Sequence, residues 1–221
     1  MTRSRHAQTV CIVFVAFLFM AASAHASPTF EISGGGEAEV KGTQKTTHVL
    51  SIEGNNTECP TVTMNSVGKI SNGATTAALH PEYSKCTAFG FIAATVTTTG
   101  CNYRLMASGT STGSPPHYIG EVAVECEAGK EIVISAGGVC EAKFGSQTLT
   151  SGPEYTDTID INGFADWDLI EDDTEISVNK TQDGFGCPFN GTGKATAIYN
   201  GVTTNLCTRP AGTPISCKLV N

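Results

Sequence analysis

Nine carboxylates fall in the 22 residues from Glu154 to Glu175, and no Lys or Arg interrupts the chain between Lys143 and Lys180. Two kinds of chemistry draw on such a set. A hard cation such as calcium collects oxygen ligands from carboxylates, amides and backbone carbonyls of a loop. Asp160-Ile-Asn162-Gly163 followed by Asp166 resembles part of a calcium loop without its usual spacing, so Asp160, Asn162 and Asp166 are the candidate metal ligands. Glycoside hydrolysis needs only two carboxylates flanking the scissile bond, which makes a glycan or ester hydrolase using acids of residues 154–175 the enzymatic alternative. Trp167, the only tryptophan, stands among these acids with Asp168 beside it and Phe164 nearby. It serves either as a core anchor for the loop or as a platform on which a sugar stacks. The candidate binding set is therefore Asp160, Asn162, Asp166, Trp167 and Asp168. A solvated acidic loop is the plain alternative, because like charges that are not bridged by a cation must face water.

Other apparent motifs fail on their context. Gly109-Thr-Ser111-Thr-Gly113 spells G-x-S-x-G. A nucleophile elbow lies between a strand and a helix, whereas this segment runs on into Ser114-Pro115-Pro116, a loop sequence. Gly191-Thr-Gly193-Lys194 lacks the first glycine of a phosphate loop and is followed by Ala195. Zinc needs close-set Cys or His ligands, and His48, His80 and His117 are scattered, as are the cysteines. No cofactor is expected beyond that calcium.

The first residues address the chain for export. Arg3 and Arg5 precede a 13-residue apolar run, Val10–Ala22, and Ala24-His25-Ala26 places small residues where a signal peptidase reads. The run is short for a membrane span of about 20 residues, so residues 1–26 read as a signal peptide cleaved before Ser27. Cleavage removes two arginines and no acid, which moves the net charge from −8 to −10. That charge speaks against nucleic acid and anionic membrane surfaces, both of which call for basic patches. The expected location is extracellular or cell-surface, with no membrane association after cleavage and an extracellular or cell-wall ligand as the partner.

Removing Cys11 with the leader leaves eight cysteines, an even number that suits four disulfides in an exported chain. Eight cysteines allow 105 connectivities, and geometry speaks for two pairs. Cys101 and Cys126 fall nearly opposite each other in a hairpin centred on the Pro115-Pro116 loop. Cys207 and Cys217 close a short Pro-containing loop beside the C-terminus. Cys59–Cys86 and Cys140–Cys187 are what then remains.

The elements around these residues read as strands. Charged residues make up 15% of the chain, below the usual share of about 25%, and Thr, Gly, Ser and Asn fill the difference, a composition suited to strands and turns. No stretch after the leader shows helix-period apolar spacing with caps. About a dozen short strands alternate with Gly, Asn and Pro turns. They include Thr46–Glu53, Phe91–Thr98, a disulfide-stapled meander from Cys101 through the Glu127–Lys130 turn to Cys140, a hairpin of Ala142–Phe144 with Gln147–Thr150, Ile159–Ile161, and Thr174–Asn179. Asn72-Gly73 and Asn200-Gly201 are turn signals. Each follows a Cys-Pro pair (Cys59-Pro60, Cys187-Pro188) at the same spacing, which suggests a duplicated supersecondary unit. The fold class is all-β, an antiparallel sandwich or barrel-like assembly stapled by disulfides. Residues 27–221 form one domain, or two lobes with a boundary near 145–155.

Four segments carry a family resemblance: Thr47-His48-Val-Leu-Ser-Ile-Glu53-Gly54, Cys86-Thr-Ala-Phe-Gly90, Gly100-Cys101-Asn-Tyr103, and Asp183-Gly-Phe-Gly-Cys187-Pro188 with Gly191-Thr-Gly193. In these the chain resembles a loosely defined group of predicted secreted, cysteine-containing all-β proteins associated with actinobacterial genomes. The resemblance implies export and an all-β fold; the group is of unknown function, so it assigns no functional residue here. The reading that results is a secreted, non-enzymatic β scaffold with an extracellular binding or structural role.

Overall fold

The computed structural model describes residues 27–109, 117–149, 151–210 and 212–221. The expected leader, and Ser111 with the rest of its motif after Gly109, lie outside them. Strands account for the regular structure of these residues, and none of them is helical. After β1 (Thr29–Ile32) the chain runs up and down in eight rows. These are β2 (Glu37–Gln44) continued by β3 (His48–Ile52), β4 (Asn55–Cys59) by β5 (Thr61–Ser66), and, after the short β6 (Ile70–Ser71), β7 (Thr76–Ser84) by β8 (Thr87–Ala88). Then follow β9 (Ile92–Thr97) with β10 (Cys101–Ala107), β11 (His117–Cys126) with β12 (Ile132–Ala136), and β13 (Cys140–Phe144) with β14 (Gln147–Leu149) and β15 (Pro153–Ile159). The last two rows, β16 (Ala165–Asp183) and β17 (Gly193–Thr208), are long, and β18 (Pro214–Ile215) and β19 (Cys217–Val220) end the chain.

Each row pairs antiparallel with the next, and the last returns to the first. In a lower tier the ring runs β2, β5, β7, β10, β11, β15, β16, β17 and back to β2. In an upper tier it runs β3, β4, β8, β9, β12, β13, β16, β17 and back to β3. The molecule is thus a tall eight-row up-and-down barrel with a waist where six of the rows break. Closure gives every row a paired neighbour on both sides, which is how a barrel limits edge-to-edge aggregation.

Strict alternation along the strands builds this shape. β2 buries Ala38, Val40 and Gly42 and exposes Glu37, Glu39 and Lys41, and β10 buries Cys101, Tyr103, Leu105 and Ala107. The inward set fills the lower tier with Met64, Leu79, Leu105, Tyr155, Trp167 and Leu169, all essentially inaccessible. Leu50, Ile132, Ile134, Phe144, Ile176 and Val178 fill the upper tier. An apolar interior with a charged outer wall is the reverse of a barrel whose wall faces lipid. Eight strands leave an interior just wide enough for side chains. One position shows how tight it is: a Cβ on Gly120 would come within 1.9 Å of the Tyr155 ring.

All four expected disulfides are present: Cys59–Cys86, Cys101–Cys126, Cys140–Cys187 and Cys207–Cys217. The first two tie neighbouring rows at the waist. The third binds the β16–β17 loop to β13 at the upper end, and the fourth binds β19 to β17 at the lower end. A two-stranded ribbon of β1 and β19 covers that lower end. Phe30 reaches from it to Trp167, ring centroids 5.4 Å apart, and the Tyr118 hydroxyl and Asp157 bind the Leu219 backbone at 3.0 and 2.9 Å.

Several local expectations are corrected by ring closure. The Glu127–Lys130 turn does not fold β12 back onto β11. It is a jog within one row, and β12 pairs with β9 and β13. β13 and β14 do not form a hairpin, because β13 pairs with β12 and β16 while β14 pairs with β11. Ile161 is not in a strand but exposed in the turn after β15. Asn72-Gly73 turns the chain between β6 and β7, whereas Asn200-Gly201 lies inside β17 and does not turn at all. The two Cys-Pro segments therefore occupy different places in the barrel, Cys59 at the waist and Cys187 in an end loop, so they are not copies of one unit. Residues 147–149 and 153–155 lie in strands of the wall, and both tiers draw strands from the whole chain.

Candidate functional site

The acidic stretch does not gather into one loop. It runs along β15, around a turn and up β16, so its carboxylates alternate between wall and interior. Asp160 organises the turn: its carboxylate accepts bonds from the Asn162 and Phe164 backbone N–H groups, both at 2.8 Å, and from the Asn162 side chain at 3.1 Å. Burial pushes its carboxyl up, but these donors outweigh that and hold it below the usual range. Asp168 faces outward and is tied to Lys45 at 2.7 Å and to the Thr204 hydroxyl at 2.6 Å. Asp166 is 1% exposed with neither oxygen paired. Burial, then the charges of Asp160 and Asp168, raises its pKa to about 6. Among the described residues no three His, Cys, Asp or Glu side chains come together as a metal cluster, and both Asp160 oxygens accept bonds within its own turn.

Trp167 points the other way from its acidic neighbours, because successive strand residues face opposite sides. It is fully buried between Phe30 and Tyr155. It anchors the core, and no sugar can stack on it in this fold.

The densest polar constellation lies at the waist, and its members are distant in sequence. The hydroxyl of Tyr83 is 3.0 Å from those of both Tyr103 and Tyr199. Tyr199 in turn meets His48 Nδ1 at 2.5 Å, and His48 Nε2 lies 3.3 Å from Thr203 Oγ1. His48 is 1% exposed, and burial lowers its pKa to about 4, so the ring is neutral. The imidazole occupies the space over Gly201, where a Cβ would lie 2.4 Å from Nδ1. That is why Asn200-Gly201 serves strand packing instead of a turn. Glu171, inward on β16, completes the set. It is 3% exposed, Oε2 has no partner, and burial raises its pKa to about 8. At neutral pH it is an uncharged carboxylic acid. Burial, and secondarily its neighbours including Glu171, keeps the three phenols protonated far above neutral pH. A neutral imidazole, three phenols and a neutral acid make a polar core joint, with no charged nucleophile or ionised base.

Above this joint the upper tier holds a small, partly open hollow of about 30 Å³. Its walls are Leu50, Val96, Ile132, Ile134, Phe144 and Ile176, and its floor is the His48–tyrosine network. At about 24 cal/mol per Å³, a void of that size costs roughly 0.7 kcal/mol. The top is closed by Phe89 against Phe189, centroids 6.0 Å apart, and by the Cys140–Cys187 bond. Lys180, 4% exposed, is paired there with Glu53, whose pKa is lowered by the Asn190 backbone N–H and then by Lys180. No family model, no curated protein and no solved structure matches the chain.

Sequence reasoning pointed to the acids and missed the waist. His48 and Tyr103 stand in segments singled out for their resemblance, yet Tyr83, Glu171 and Tyr199 carry no local signal. Only the inward parity of each strand could have grouped them, and parity is usable only once the rows are aligned.

Proposed function

We propose that this protein is an exported, non-enzymatic β-barrel module with an extracellular binding or structural role. The observation that carries this reading is where the chemistry went. The Asp160 and Asp168 carboxylates and His48 are engaged in holding strands and turns, and Glu171 is sealed inside the waist as a neutral acid. Disulfides at the waist and at both ends suit an oxidising compartment, and a charged outer wall suits a chain surrounded by water. The resemblance to secreted all-β proteins points the same way. A closed, stapled barrel is a durable frame for exposed loops, which present Phe91 and Phe185 at the upper end, at 82% and 104% exposure, and Ile161 at the lower.

The hydrolase alternative would have to use acids that remain exposed, such as Glu154, Asp172 or Glu175. One assay separates the two. The mature protein is incubated with glycan and ester substrates and, in parallel, with cell-wall polysaccharide in a sedimentation assay. Retention on the wall fraction without turnover supports the module. Turnover abolished by substituting a single exposed acid would replace it with the enzyme.

A further inference from the structure

We propose that the upper end of the barrel docks on a neutral lipid bilayer, with Phe91 and Phe185 as the two side chains that enter it. The proposal rests on the reading of the protein as an exported binding module and names the surface that the module binds. Three loops build this end: 89–91 between β8 and β9, 137–139 between β12 and β13, and 184–192 between β16 and β17. They are joined into one tip. Gly137 N–H donates to Ala93 O at 3.2 Å, and Gly184 N–H donates to Val139 O at 2.7 Å. Phe89 packs edge-on against Phe189, and the Cys140–Cys187 bond ties the third loop to β13. Beneath the tip Ala88, Ala136 and Cys140 are buried, with Ile92, Val139 and Phe189 packed on them. Phe91 and Phe185 stay out of that packing. They stand on either side of the Gly137-Gly138 turn, 82% and 104% exposed, each next to a glycine with positive φ, Gly90 and Gly186.

Charge and area select the occupant. No Lys, Arg, Asp or Glu lies between Lys85 and Arg104, between Glu131 and Glu141, or between Asp183 and Lys194, so all three loops are uncharged. Glu53, on the neighbouring β3–β4 turn, is paired with Lys180. The net charge of −10 in residues 27–221 therefore lies outside these loops. An exposed apolar patch on such a surface marks a protein or membrane contact. The two rings together expose roughly 300–450 Å², well short of the about 800 Å² that each partner gives to a stable protein interface. Two copies meeting there would also bring together two strongly negative chains. A sugar needs placed polar groups beside the ring to bond its hydroxyls, and both rings have glycine beside them. The bilayer interface accepts a bare aromatic ring without any matching shape. Anionic headgroups repel the chain's negative charge, which restricts the surface to zwitterionic lipid. The expected lack of membrane association rests on charge, and charge opposes anionic lipid alone. The lower end also exposes Ile159 and Ile161, but they flank Asp160, whose carboxyl is held below the usual range and so stays ionised. A charge of that kind resists leaving water.

The test uses the oxidised mature protein and sucrose-loaded vesicles of phosphatidylcholine, alone or mixed with phosphatidylserine, in a sedimentation assay. Burial of one Phe ring is worth about a 10- to 100-fold gain in partitioning. Two rings then give a partition constant of roughly 10² to 10⁴ M⁻¹, up to that of a single myristoyl chain, so about 10 mM phosphatidylcholine should retain half of the protein or more. Phe91→Ser and Phe185→Ser should each lower the constant about 10- to 100-fold with Tm unchanged. Ile161→Ser, the control at the other end, should leave it as it is, and phosphatidylserine should weaken it. No retention on phosphatidylcholine overturns the proposal, as does retention that neither Phe variant weakens, that Ile161→Ser weakens equally, or that grows with phosphatidylserine. A concentration-dependent dimer that Phe185→Ser abolishes, without retention on lipid, gives this end to a second copy instead. Retention on neutral polysaccharide alone gives it to a sugar. Either result overturns the lipid surface and leaves the module reading standing, whereas turnover of a glycan or ester, read in its own assay, overturns that reading.

Discussion

Replacing Glu171 by Gln should remove most of the pH dependence of stability above neutrality. Burial raises the folded pKa of Glu171 to about 8, against an ordinary value of 4.5. A pKa raised by folding means that the native state holds the proton more tightly. The associated stability is fully present below pH 4.5 and is lost as pH rises through 8. At about 1.36 kcal/mol per pKa unit the loss totals about 5 kcal/mol, of which about 4 kcal/mol falls between pH 5 and 9. That is a large share of a typical stability of about 5–15 kcal/mol. Two other buried groups titrate lower and oppose each other. His48, depressed from 6.5 to about 4, contributes stability that is present above 6.5 and lost as pH falls through 4. Asp166, raised from 3.8 to about 6, contributes stability present below 3.8 and lost as pH rises through 6. Between pH 6.5 and 8 Glu171 therefore governs alone. Urea unfolding of the oxidised protein from pH 5 to 9 reads the effect. The wild type should lose about 4 kcal/mol across that range and the Gln variant little, with the two converging at acid pH. At pH 9 the variant should melt about 8 to 16 °C higher. Parallel curves for the two proteins over the whole range would refute the burial of this carboxyl.

Other substitutions probe the packing. Gly201→Ala drives a Cβ into the His48 ring and should cost about 1–3 kcal/mol in a urea titration, whereas the Asn200-Gly201 turn signal would have predicted tolerance. Trp167→Ala should destabilise the barrel by about 3–5 kcal/mol, seen as a lower unfolding midpoint with calcium present or absent; an unchanged midpoint with lost ligand binding would restore the surface-platform reading. Asp160→Ala removes three hydrogen bonds from one turn and should cost about 1–2 kcal/mol, measured as a Tm loss that chelator does not reproduce. Converting Cys101 and Cys126 to Ser opens a waist staple and should cost about 2–4 kcal/mol, with the far-ultraviolet spectrum retained at 25 °C.

Much of this protein was legible before its structure. Alternating apolar residues, β-branched enrichment and missing helix periodicity determined an all-β chain, because side-chain parity is a local property of an extended backbone. The even cysteine count pointed to four bonds, and Cys101 with Cys126 could be matched because one hairpin sets their register. What tertiary structure alone decided is ring closure, and with it the fate of each polar residue. Glu171 and Asp168 stand three residues apart in one acidic stretch, and their neighbours in sequence make both look solvated. Strand parity sends one into the waist as a neutral acid and the other outward to Lys45. His48, Tyr83, Tyr103 and Tyr199 come from four different rows, so no window along the chain contains them. Asn200-Gly201 has the local chemistry of a turn, yet the His48 ring needs the room above Gly201, and the ladder to β3 holds that segment extended. Local pattern chooses the strand and its two faces, but which face meets which neighbour depends on how eight rows align around a closed ring.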